Sequence, residues 1–193
     1  MKLYLAGIYT SNFDLNGRVY SRLDDAEKKM RGDIDWFLES YHYVHKPKAV
    51  ERMRREGVKV FLDSGAFSAF SMGVKVDLPK YCDYIHRNLD IIEHVDGQPL
   101  ASVLDAIGDA DGTWHNQRAM EDLGVRPLPC YHYGEPVEVL QYYIENYSYI
   151  TIGGMVPIST PQLKLWLDRL WKDYLTDENG FPVVKVHGFG LTS

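Results

Sequence analysis

The chain has 193 residues, 45% hydrophobic and 25% charged, which suits one ordinary globular core and does not require two domains. Its formal net charge of −6, from 21 Lys and Arg against 27 Asp and Glu, speaks against a general nucleic-acid binder, so any such contact must come from local patches. Two cysteines, Cys82 and Cys130, are too few for a four-thiolate zinc site, and no window approaches the roughly 18 apolar residues of a membrane span.

The start, MKLYLAGIY, enters a strand-like run directly and does not read as a signal peptide, so a soluble cytoplasmic protein is expected. Further strand-like runs are predicted at 58–62, 100–104, 126–131, 149–152 and 183–186, after the first at 2–8. Amphipathic helices are predicted between them. The pattern at 47–56 opens on Pro47 and stops at Gly57, and that at 78–92 carries Pro79 early. Those at 113–123, 136–147 and 160–174 follow the same punctuation. Alternating strands and helices joined by short connections predict right-handed βαβ units and an α/β fold with parallel strands. About six β/α units can be counted, so a TIM-type (β/α)8 barrel would be incomplete, with an open sheet as the alternative. Residues 9–46 read as a long polar connection with a helix around 24–41, inside a single domain over 1–193. Its basic residues, Arg18, Arg22, Lys28, Lys29 and Arg31, could touch phosphates or form a solvated face.

Polar residues and glycines cluster just past the strands. The second strand ends in Asp63-Ser64-Gly65 and the third in Leu104-Asp105. The fourth ends in Tyr131-His132-Tyr133-Gly134, the fifth in Gly153-Gly154-Met155 and the sixth in His187-Gly188-Phe189-Gly190. In parallel α/β folds these ends converge on one mouth, so two carboxylates, two imidazoles, glycine amides and aromatic rings would meet there. Paired carboxylates titrate apart, which frees one for acid or base work. Backbone amides at a double glycine can bind a carbonyl oxygen, and facing rings can clamp a flat heterocycle. Plainer readings stand beside these. Asp63 and Ser64 could cap a helix, His132 could be a satisfied structural histidine, and Gly153-Gly154 could be a turn. His42 and His45 offer the spacing of a metal pair or of a helix surface, and Cys130 reads as packing.

On these residues the chain resembles the tRNA-guanine transglycosylases, which include the queuine tRNA-ribosyltransferases and phage and bacterial DNA-modifying relatives. Asp63 to Phe67, DSGAF, resembles the Asp-Ser-Gly-Gly-Phe/Tyr motif, and VLDA around Asp105 the strand with the second aspartate, followed by a helix bearing Trp114 and Arg118. Ile152 to Met155, IGGM, is similar to the Gly-Gly-Leu segment and His187 to Gly190 to the Met-Gly-Val-Gly segment. The resemblance implies a TIM barrel that exchanges a guanine in tRNA or DNA for a 7-deazaguanine such as preQ0 or preQ1, by double displacement at the sugar C1′ on a flipped-out nucleotide. It implies that Asp63 is the acid/base group and that Asp105 reads the amidine edge of the base. It further implies that Gly153 and Gly154 hold O6, that Phe67 and His187 sandwich the ring, and that His132 and Met155 complete the base site. No metal and no cofactor are implied.

The sequence departs from the family at Ala66, in the short loop after Gly154 and in lacking the cysteine-rich zinc element. These departures favour the phage-type DNA branch, which would place the protein in a host cytoplasm. The family's nucleophilic aspartate lies past the HGFG strand and is expected beyond Ser193, supplied by a longer chain, a complementing C-terminal chain or a homodimer partner. A metal-dependent TIM-barrel hydrolase using Asp63, Asp105, His132 and His187, and a non-catalytic nucleic-acid-binding subunit, remain the alternatives.

Overall fold

The computed structural model describes residues 2–9, 24–26, 29, 33, 35–156 and 158–190. The chain divides into two compact units, residues 1–127 and 128–193.

In the first unit, three parallel strands pair in chain order: β1 (Leu5–Ala6), β2 (Phe37–Ser40) and β3 (Val60–Asp63). The register sets Phe37 against Val60 and Ser40 against Asp63, so β2 and β3 end level. Val60, Phe61 and Leu62 are each buried to within 1% exposure, as a strand covered on both faces must be. The segment after Pro99 continues the sheet on the far side of β3. Leu62 N donates to Leu100 O and Ser102 N to Leu62 O, both at 2.9 Å. Strand order thus matches chain order through four successive segments.

Helices return the chain between these strands. After the short α1 (Tyr41–Val44), α2 (Pro47–Glu56) has Pro at its first turn, buries Ala49, Val50 and Met53, and ends on Gly57 in the left-handed conformation. The short α3 (Ala66–Ser71) comes directly after β3. The next helix, α4 (Leu78–Arg87), starts where the Asp77 carboxylate accepts from Lys80 N. A hairpin of β4 (His94–Val95) and β5 (Gln98–Pro99) turns through Asp96 and Gly97, both at positive φ. The last helix of the unit, α5 (Ala110–Asp122), is capped by Asp109, whose carboxylate accepts from Gly112 N.

The second unit repeats the logic with β6 (Cys130–His132), β7 (Tyr149–Gly153) and β8 (Lys185–Gly188), parallel and again in chain order. Two helices, α6 (Val137–Asn146) and α7 (Thr160–Leu170), carry the crossovers, and Trp171–Leu175 extends α7 as a π turn. Leu140, Tyr143, Ile150, Ile152, Met155, Leu170 and Leu175 form the core of this unit. Each such side chain contributes about 2 kcal/mol relative to an exposed one.

The mixed α/β architecture with parallel strands agrees with the sequence, while the described strands group into separate three-, two- and three-stranded sheets with no closed ring. Three expectations are corrected. The helix expected around 24–41 gives way at Phe37–Ser40 to β2, a central strand, and the rest of that expectation lies largely outside the described residues. Residues 9–46 are therefore not one connection, and β2 adds a parallel strand to the six strand-like runs expected. Finally, the strand expected from 126 begins only at Cys130. The basic residues at 18, 22, 28 and 31 lie outside the described residues.

Candidate functional site

Asp63 ends β3, and the two residues after it fold back on its carboxylate. Gly65 N donates to Oδ2 at 2.9 Å, an Asx turn that leads into α3. Gly65 has φ +75°, and a Cβ there would meet Ser40 Oγ and lie 2.5 Å from His42 Cβ, so only glycine fits beneath β2 and α1. On the other side, Ser102 Oγ accepts from Ser64 N at 2.9 Å and donates to Asp63 Oδ1 at 3.5 Å. The buried Tyr81 hydroxyl donates to Ser102 O at 2.9 Å. The expectation that Asp63 or Ser64 caps the next helix is not met, since α3 starts from Gly65 with no side-chain cap; the Asp63 carboxylate serves the Asx turn and also faces Ser102.

Burial pushes the Asp63 carboxyl up from 3.8 to about 6, and the charge of nearby Asp105 adds to the rise. The hydrogen bonds from Gly65, Ser102 and Ser64 oppose it. A carboxyl near 6 exchanges a proton readily at neutral pH, as general acid–base chemistry needs. Tyr81, buried beside this carboxylate, has its phenol held well above the usual range by burial first and by Asp63 second. Asp105 comes after Leu104 and precedes a turn in which Ala106 N donates to Thr113 Oγ1 and Asn116 Nδ2 donates to Leu104 O. That turn holds Asp105 at the same end of the first unit as Asp63. Phe67 is 61% exposed on α3, with Phe70, 62% exposed, one turn further on.

In the second unit, β6 and β7 bring His132 level with Gly153. A Cβ at Gly153 would lie 2.8 Å from Cys130 Sγ, and one at Gly154, φ +67°, would lie 3.1 Å from His132 Cβ and from Tyr133 N. The double glycine thus allows the close approach of β6 and the turn beyond it. His132 Nδ1 sits 2.8 Å from Glu135 Oε1, with Glu135 side-chain exposure only 8%. The carboxylate favours a proton on Nδ1 and fixes the ring's orientation. His187 on β8 stands opposite Thr151, its ring edge-on to Phe189 at 4.8 Å. Burial holds its imidazole down to about 4, so it is neutral at physiological pH. Met155, expected to contact the base, is 3% exposed and packs in the core of the unit.

The structure therefore gathers Asp63 and Asp105 in the first unit, with Phe67 on the helix that Asp63 leads into. In the second it gathers His132, Gly153 and Gly154. Ser102, Tyr81 and Glu135 escaped the sequence reading. Glu135 had a usable signal, three residues after His132, whereas Ser102 in an apolar run had none. Of the histidine pair, His45 Nδ1 lies 3.0 Å from Tyr41 O, a local helical contact. Both cysteines are buried thiols, Cys82 raised to about 11 by burial.

Comparison with protein-family models, curated proteins and solved structures finds no match for this chain.

Proposed function

We propose that this protein is a guanine or 7-deazaguanine transglycosylase-like pentosyltransferase, and that its sequentially ordered parallel strands belong to a (β/α)8-type barrel. The observation that carries the reading is the half-buried Asp63 at the end of β3, held by Gly65 and Ser102 with Asp105 near enough to raise its carboxyl further. Asp105 accepts from the amidine edge of the base, whose two N–H donors face one way. Asp63 gives or takes the proton that must move when the base leaves or enters at C1′. Phe67, on the helix that Asp63 leads into, offers a ring face to the flat heterocycle. The substrate is a base in tRNA or DNA, presented out of its stack. Chain order through β1, β2, β3 and residues 100–102 supports the barrel reading, because an open doubly wound sheet reverses its order at a switch point.

The test is the melting temperature of the protein with guanine, preQ0 or preQ1. A rise that Asp105→Ala abolishes is expected. No rise at millimolar base, or stoichiometric divalent metal that Asp63→Ala removes, would replace base exchange with another chemistry, the metal result favouring a hydrolase.

A further inference from the structure

We propose that Ser102 is a positioning residue for Asp63, its hydroxyl tying the carboxylate to the backbone of the adjoining turn and fixing the direction in which the carboxyl presents its proton. The inference rests on the reading of Asp63 as the acid/base group.

Every polar atom of Ser102 is engaged around Asp63. Its N–H donates to Leu62 O at 2.9 Å, its carbonyl accepts from Tyr81 OH at 2.9 Å, and its Oγ accepts from Ser64 N at 2.9 Å. A hydroxyl has one proton to give. With the Ser64 N–H already directed at the oxygen, that proton is left to face Asp63 Oδ1, 3.5 Å away. Oδ2 is held at 2.9 Å by Gly65 N, from the opposite direction in the chain. Gly65 thus holds one carboxylate oxygen closely while the Ser102 hydroxyl meets the other at longer range, and Ser102 is 2% exposed, so water does not compete for that contact.

A hydrogen bond donated to the carboxylate favours its ionised form and counters burial and the charge of Asp105, which favour the neutral one. Ser102 therefore adds to the larger pull of the Gly65 N–H in keeping Asp63 able to release its proton. Among the described residues of this unit, the titratable groups around Asp63 are Asp105 and Tyr81, with His42 packed beside Gly65. Replacing Ser102 alters none of them. A serine that merely filled space would be replaced by alanine without consequence for the titration.

The experiment tracks the Asp63 side-chain carboxyl by 13C NMR as a function of pH, in the full chain and in Ser102→Ala and Ser102→Thr. In Ser102→Ala the proton affinity of Asp63 is expected to rise about threefold or more, and in Ser102→Thr, which keeps the hydroxyl, to stay at the wild-type value. An unchanged titration in Ser102→Ala would overturn the proposal. If that variant does not fold, Ser102→Cys, close in size and a weaker donor, is expected to raise the affinity and would overturn the proposal by leaving it unchanged. A wild-type Asp63 titrating near 3.8 would remove the acid/base reading and this inference with it. A Ser102 effect without base binding would remove the base exchange alone.

Discussion

Burial, with a smaller addition from the charge of Asp105, raises the Asp63 carboxyl. Its folded-state value of about 6 lies above the unfolded 3.8, so its contribution to stability is fully present below 3.8 and is lost as pH rises through 6. Asp63→Asn is therefore expected to stabilise the fold above pH 6, by at most about 3 kcal/mol, and to confer no such gain at pH 4. Urea unfolding at the two pH values checks this. His187 has the opposite profile. Its value of about 4 lies below the unfolded 6.5, so its contribution is present above 6.5 and is lost as pH falls through 4. His187→Gln is expected to lessen the loss of stability between pH 6.5 and 4, read by thermal unfolding across that range. At this scale much was legible in the sequence, because Asp63-Ser64-Gly65 and Gly153-Gly154 are unusual triplets and pairs at strand ends. Ser102 and Glu135 were not, since a hydroxyl in an apolar run and a glutamate after a turn look ordinary until their partners are placed.

Among the elements, β2 shows why a strand can hide. Phe37 and Glu39 point inward along Phe37–Ser40, and Glu39, fully buried, accepts from Tyr9 N at 2.8 Å through Oε1. A buried glutamate breaks the apolar pattern that marks a central strand, so the stretch resembles an amphipathic helix. The β4–β5 hairpin, by contrast, carried a readable Asp96-Gly97 signal just beyond a predicted helix end. The junction between β3 and α3 is the most constrained connection near the site. Gly65→Ala is expected to cost about 2 to 4 kcal/mol in denaturant unfolding, combining a left-handed backbone with a Cβ driven into His42 and Ser40. The base-induced rise in melting temperature is expected to fall with it, because the Asx turn that holds Asp63 Oδ2 moves. In the second unit, Met155→Ala is expected to cost about 2 to 5 kcal/mol, as for any long side chain removed from a filled core.

For the molecule as a whole, periodicity and turn residues conveyed the α/β class and most helix positions, the helix over Pro47–Glu56 to the residue. The division of the chain into two units has no such marker, because it depends on which segments contact which and not on composition. Among the described residues, no helix is long and apolar enough to cross a membrane. The function proposed for this chain turns on whether a flat base meets the carboxyl of residue 63. The most direct measurement is the 13C titration of that carboxyl in the wild-type protein, alone and saturated with guanine or preQ1. A midpoint near 6 that moves when the base is added is the expected result, and a midpoint near 3.8 that the base leaves untouched would contradict the account.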